Sequence, residues 1–414
     1  MTFLTEPAQP TSGPAPPPRK AWRVRPLEWA ILGFLVFVLV RAGPDAFVAW
    51  RELAGGRTVT VLCAFGVVVF VYLVRAFASR PWPARARLLS RMHWLTLPFA
   101  LGPLLLGIVF ALQGQALREV VSGTPLPRVM VAVSTAITRV SGFGLPPLLL
   151  WLAAGIDVKT HGGLDLRRFI KTLARQLVVA ARDWAPLLLV LSGYAWMEAV
   201  IEVKPGEGRD DWMLAADRFL FLGHDPLDLL ERVISRPLSE WLAFSYSFYA
   251  LMFPLAFGGV LLFGGRPALR EAAFAISAAL LVAYLGYTFF PVKGPILTRT
   301  FQVPLDMYLI GPIKAALMDA TRINYDCFPS MHTGCSMILA WAAWRHVRKL
   351  FWAMLPMAAS IPFACVYLRY HYVIDVLAGA TVAVAAMVVT MKLRPILVAD
   401  LPEAPPAGAP TPPA

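Results

Sequence analysis

The sequence predicts an all-α fold, a polytopic integral membrane helical bundle of about ten transmembrane helices. Three observations carry that expectation. Hydrophobic residues make up 58% of the chain and charged residues only 15%, against roughly 45–50% and about 25% in soluble globular domains. The apolar residues fall in charge-poor runs close to the ~20 residues that a membrane helix needs. The 38 Lys and Arg, against 25 Asp and Glu, collect on alternate loops rather than in one patch.

Residues 1–21 open with a Pro-, Ala-, Thr- and Gly-rich stretch that cannot bury enough apolar surface to fold, so a disordered cytoplasmic tail is expected. A cleaved signal peptide fits badly, because that stretch precedes the first apolar run. Candidate spans follow at 27–42, 58–74, 94–112 and 129–156, giving an N-terminal membrane region over 22–182. A core region over 183–397 holds six more, at 184–200, 242–263, 272–290, a short one at 334–344, 350–368 and 372–391. Between the fifth and sixth, 212–235 is amphipathic rather than spanning and is expected at the membrane interface. There Asp225 as N-cap, Pro226 at N1 and Asp228 at N3 predict a short helix. Residues 398–414 return to a disordered-tail composition, and no internal repeat is evident.

With the N-terminus in the cytoplasm, Arg75 to Arg91, Lys159 to Arg182, Arg266, Arg270, Arg345, Arg348, Lys349, Lys392 and Arg394 all fall on inner loops. This bias is the positive-inside rule, and it explains the +13 charge without nucleic acid. The expectation is a multi-pass protein of the cytoplasmic (inner) membrane with both termini cytoplasmic. Cys63, Cys327, Cys335 and Cys365 have neither metal-ligand spacing nor a disulfide framework; Cys335 and Cys365 are expected to be small apolar groups within spans, and Cys327 a neighbour of the polar segment at Pro329 to His332 rather than a nucleophile.

Four polar clusters stand out, each at an outer end of a predicted span: Lys293 to Arg299, Asp326 to Thr333, Arg369 to Asp375, and the acidic stretch from Arg209 to Asp225. On a helix, His371 and Asp375 are four residues apart and share a face within hydrogen-bond reach. The carboxylate can then fix the imidazole tautomer and raise its basicity; the bland reading is an interfacial His beside a capping Asp. Pro329, Ser330 and His332 describe a helix N-terminus whose N–H groups and dipole suit a phosphate, with His332 able to protonate a leaving oxygen. The bland reading makes Ser330 an N-cap. Lys293 and Arg299 add fixed positive charge, or merely snorkel. The acidic residues have the chemistry to bind a metal or position an inositol hydroxyl, but helix capping and solvation explain most of them. Tyr246 and Tyr249 are expected to be interfacial anchors, and His93, His161 and His346 to lie at the inner boundary, away from the site.

On these residues the chain resembles the phosphatidic acid phosphatase type 2 superfamily, which includes the vanadium haloperoxidases. In that family a Lys and Arg segment is followed by P-S-x-H and then by H-x-x-x-D, as in Pro329-Ser330-Met331-His332 and His371-Tyr-Val-Ile-Asp375 here. The resemblance implies a six-helix catalytic core and a phosphatase or phosphotransferase. It implies that His371 attacks phosphorus to give a phosphohistidine, that Asp375 orients it and that His332 protonates the leaving group. Lys293, Arg299 and Ser330 would hold the phosphate oxygens, and no metal or other cofactor is required. The family's usual Arg, six residues before the nucleophilic His, is Cys365 here, and Arg369 is the candidate replacement. The first motif is also compressed. Both departures look like the branch with inositol phosphorylceramide and sphingomyelin synthases, so transfer of a head group to a lipid or polyol hydroxyl is the alternative to hydrolysis. The substrate would be a phospholipid or lipid phosphate. A transporter is the alternative of another class, but the only basic residues inside predicted spans are Arg139 and, at the very end of the first, Arg41. No H-E-x-x-H occurs to suggest a zinc peptidase.

Overall fold

A computed structural model describes residues 28–38, 40–41, 165–194, 197–201, 208–311 and 323–399. The expected spans at 58–74, 94–112 and 129–156, Arg139, His93, His161 and both tails except 398–399 lie outside the described residues. Among those described, every regular element is a helix. We label them α1 (Glu28–Val38), α2 (Leu166–Gly193), α3 (Met197–Val200), α4 (Asp210–Leu220), α5 (Pro226–Glu231), α6 (Arg236–Gly259), α7 (Gly265–Phe289), α8 (Pro295–Thr298), α9 (Met331–His346), α10 (Arg348–Tyr367) and α11 (Val373–Leu397).

Among the described residues, three segments are long and apolar enough to cross a membrane: Arg236–Phe289, Arg348–Tyr367 and Val373–Leu397. The first is α6 and α7 joined by a π-helical turn, Val260–Gly264. It reverses there. Ser235, before α6, meets the Tyr367 hydroxyl at the end of α10, whereas Gly259 faces Leu350 near the start of α10. Gly264 then lies against His346, and Gly286 against Phe328 and Pro329. The two legs are therefore antiparallel, and the bundle has a site end, carrying Pro329 and Tyr367, and a far end, carrying Leu350 and His346.

At the centre, α9 packs against α6, α7, α10 and α11. Sixteen residues give it a length of about 24 Å, short of the ~30 Å hydrocarbon layer. Buried Gly334, Cys335, Ser336, Ala342 and Ala343 present little bulk, and small residues let neighbouring helices approach closely.

Two differences from the sequence expectation concern the far end. Helix α2 begins at Leu166, well before the expected span start at 184, and runs unbroken across 182–183. A hydropathy window misses this part because its Arg and Lys residues ride one amphipathic face. The arginines expected on inner loops are also paired there with buried carboxylates, which the charge bias alone does not reveal. The buried carboxylate of Asp183 accepts from Arg266 at 2.6 Å and Arg270 at 2.8 Å, and buried Glu271 holds Arg345 at 2.8 Å and Arg394 at 2.7 Å. His346, 3.4 Å from Glu271, sits in the same layer, far from the site. Buried charge is tolerated only when paired, so these contacts lock α2, α7, α9 and α11 together and leave the opposite end to hold the motifs.

Candidate active site

Backbone hydrogen bonds tie the three motif loops into one unit. Cys327 N donates to Val292 O at 3.2 Å, Ile296 N to Arg369 O at 2.7 Å and Ser330 N to Asp375 O at 3.1 Å. Two glycines permit this approach. A Cβ on Gly379 would collide with the Ser330 carbonyl, and Gly294, at φ +92°, would drive one into the Tyr370 carbonyl.

His371 is buried, and its Nδ1 lies 3.0 Å from the Cys327 carbonyl. A carbonyl only accepts, so Nδ1 carries the proton and Nε2 keeps the lone pair. The expected partner, Asp375, stands 3.8 Å from Nδ1, beyond hydrogen-bond reach. Its Oδ2 instead accepts from Tyr372 N at 2.8 Å and from the Cys327 thiol at 2.8 Å. Asp375 thus caps its helix and reaches His371 through Cys327, whose Sγ is 3.3 Å from Nδ1. Burial, with the Asp375 charge second, pushes the Cys327 thiol well above its ordinary range, so it stays a donor.

His332 faces His371 with ring centroids 5.7 Å apart. Tyr246 and Tyr249 hold it. Tyr246 stacks on the His332 ring at 4.4 Å and places its hydroxyl 3.3 Å from Nδ1, while the Tyr249 ring lies 4.5 Å away and its hydroxyl donates to Met331 O. These two tyrosines are site residues rather than interfacial anchors, and Tyr246 is fully inside the core. Their i,i+3 spacing on one face of α6 was the only sequence signal.

Ser330 makes no capping bond with its side chain. Its Oγ sits 3.4 Å from Thr333 Oγ1 and 3.7 Å from Cys365 Sγ. The residue standing where the family pattern has Arg is therefore beside Ser330, as a neutral thiol. Arg369 does not turn toward it. Its guanidinium donates to Glu231 and Val303 O and lies 4.0 Å over the Phe301 ring. Arg299 is paired at 2.7 Å with Asp225 and 2.9 Å with Asp228. Of the three cations expected here, only Lys293 has no carboxylate in ion-pair reach among the described residues; its ammonium lies 5.1 Å over Tyr325.

The acidic stretch acquires a purpose that sequence reasoning missed. Asp210 accepts from Lys293 N at 3.0 Å and Gly294 N at 2.9 Å, and from the Tyr372 hydroxyl at 3.2 Å. Asp217 accepts from Val373 N and Ile374 N, each at 2.8 Å. Asp225 caps α5 through Leu227 N at 3.0 Å, as its Asp-Pro pair predicts. The carboxylates of α4 therefore hold the backbone of the first motif and the start of the His371-bearing helix. Asp326, in the second motif, accepts from the Tyr194 hydroxyl.

The arrangement offers an imidazole nitrogen with its lone pair free, a facing imidazole, an ammonium with no carboxylate in ion-pair reach among the described residues, and the first-turn N–H groups of α9. No curated protein and no solved structure matches the chain. Residues 211–389, which run from α4 through α11 and carry both imidazoles, match the family model of the PAP2 superfamily, a likeness that points to phosphatase-type membrane enzymes.

Proposed function

We propose that the chain is a membrane phosphatase or phosphotransferase acting on a phospholipid or lipid phosphate through a phosphohistidine on His371, at the outer face of the cytoplasmic membrane. The observation that carries this reading is the pair of imidazoles 5.7 Å apart, one fixed at Nδ1 by a carbonyl and the other by a tyrosine hydroxyl. In the first step the Nε2 lone pair of His371 forms a bond to phosphorus, the bond to the leaving oxygen breaks, and protonated His332 gives that oxygen its proton. In the second, His332 takes the proton of an incoming hydroxyl, which attacks phosphorus and breaks the P–N bond. Lys293, Ser330 and the first turn of α9 hold the non-bridging oxygens.

Replacing His371 by Ala is expected to lower turnover by about three orders of magnitude or more while the protein still folds. Millimolar vanadate, which mimics the pentacoordinate state, should inhibit the wild type. Label from a phosphate-labelled lipid trapped on the wild-type protein, but not on the variant, is the direct check; full activity without His371 would sink the nucleophile assignment.

A specific observation favours the second reading, head-group transfer to a lipid or polyol hydroxyl as in the synthase branch. Cys365 is neutral, and Arg299 and Arg369 are already matched by Asp225, Asp228 and Glu231. A phosphomonoester carries up to two charges and a diester one, and each uncompensated charge in a dry site is costly. Beside the proton that His332 gives to the leaving oxygen, Lys293 is the one fixed charge left unmatched among the described site residues, which suits a phosphodiester, so kcat/KM for a diester lipid should exceed that for its monoester by about tenfold or more, roughly 1.4 kcal/mol. A preference for the monoester returns simple lipid phosphate hydrolysis to the front.

A further inference from the structure

The back of the His371 ring carries three donor atoms that, in the proposed reaction, orient the ring without touching the phosphate. Cys327 Sγ, His371 Nδ1 and an Asp375 carboxylate oxygen lie within 4.8 Å of one another, and all three residues are buried. The separations are 3.3 Å from Sγ to Nδ1, 2.8 Å from Sγ to Oδ2 and 3.8 Å from Nδ1 to Oδ2. Ligands bound at about 2.0–2.3 Å around a tetrahedral zinc stand roughly 3.3–3.8 Å apart. Two of the three edges already fit, and the third must widen by about 1 Å or less. A second observation is independent of these distances. Asp375 Oδ1, the other oxygen of the same buried carboxylate, has no hydrogen-bond partner, so the carboxylate is under-compensated and a cation held at Oδ2 would offset its charge. Thiolate and imidazole together select soft or borderline cations over Mg²⁺ and Ca²⁺.

We propose that Cys327, His371 and Asp375 form an inhibitory site for a thiophilic divalent cation of the zinc or cadmium class. On binding, the Cys327 thiol proton goes to solvent. Nδ1 of His371 loses its proton to solvent as the cation takes its place and Nε2 gains one from solvent, so the imidazole stays neutral and the net release is the one thiol proton. The lone pair needed for attack on phosphorus becomes an N–H. A cation here opposes the reaction instead of assisting it. Its effect on turnover rests on the phosphohistidine reading, whereas its binding does not.

The test uses the full chain in detergent, titrated with cadmium alone, with the cadmium–thiolate ultraviolet charge-transfer band read beside turnover of a phosphate-labelled lipid. The expected result is one band-forming site per chain, turnover falling tenfold or more as the band saturates, and recovery with a chelator. Cys327→Ala should lose the band, Cys327→Ser should lose it while keeping a hydroxyl donor to Asp375, and Cys335→Ala should retain it. A band that persists in both Cys327 variants, or none in the wild type, overturns the site. A Cys327-dependent band with unchanged turnover overturns the inhibition. A Cys327-dependent band in a protein whose turnover never depends on His371 overturns the phosphohistidine reading and leaves the cation site standing.

Discussion

Tyr246 stands between two roles that substitution can separate. Its ring is stacked between His332 at 4.4 Å and Tyr370 at 4.7 Å, and its hydroxyl meets His332 Nδ1. Phenylalanine keeps the stack and removes the hydroxyl. If His332 transfers the proton, loss of its orienting partner should lower kcat by about tenfold, within the range that acid–base positioning contributes. KM should barely move, because Tyr246 touches His332 and not the phosphate, and stability should fall by only about 1 kcal/mol for one lost hydrogen bond. Steady-state kinetics of Tyr246→Phe on a lipid substrate reads the split, and an unchanged kcat would leave the hydroxyl a purely structural role. Nothing local in the sequence announces this pair. Tyr246 and His332 are 86 positions apart, and an aromatic near a span end is ordinarily an interfacial anchor.

At the scale of elements, α4 acts as a splint. Its buried face carries Met213 and Asp217, while Trp212, Phe219 and, just beyond it, Leu222 are exposed. Burial pushes the Asp217 carboxyl up to about 6 despite the two N–H groups that favour its charged form. An acid whose folded value is raised binds its proton more tightly when folded. The associated stability is present below the ordinary carboxylate range and is lost as pH rises through about 6. Asp217→Asn has no such proton and keeps one oxygen for two N–H groups. It should therefore be the less stable protein at about pH 4, with the deficit shrinking by up to about 3 kcal/mol by about pH 7; thermal unfolding across that range checks it, and a constant gap contradicts the raised value. The sequence made the motifs legible, His371, His332, Ser330 and Lys293 among them, because their chemistry depends on residue type and short spacing. It hid the splint, since Asp210 and Asp217 bond to backbone N–H groups 83 to 157 positions away, and backbone recognition leaves no mark on side-chain identity. The same limit explains Cys327, which reads only as a neighbour of the second motif until the fold sets it between His371 and Asp375.

For the whole molecule, the far-end arginines serve two purposes at different times. Orientation in a membrane is set by Lys and Arg during insertion, when Asp and Glu count for little. The pairs of Arg266 and Arg270 with Asp183, and of Arg345 and Arg394 with Glu271, can form only once the helices have packed. Neutralisation in the folded state therefore does not cancel the orienting signal, and the far end is proposed to face the cytoplasm. Among the described residues, three helices, α9, α10 and α11, follow the site-end loop containing Thr300, so if these three alone cross the bilayer the loop and the C-terminus must lie on opposite sides. A C-terminal fluorescent-protein fusion, which matures only in the cytoplasm, should glow. A cysteine placed at exposed Thr300 should react with a membrane-impermeant maleimide on intact cells. A dark fusion with Thr300→Cys labelled only after lysis would invert the protein and put the site in the cytoplasm. A glowing fusion with Thr300→Cys labelled only after lysis would break the parity. It would mean that α9, at about 24 Å, does not cross as a span, and that the site lies inside the bundle's inner half.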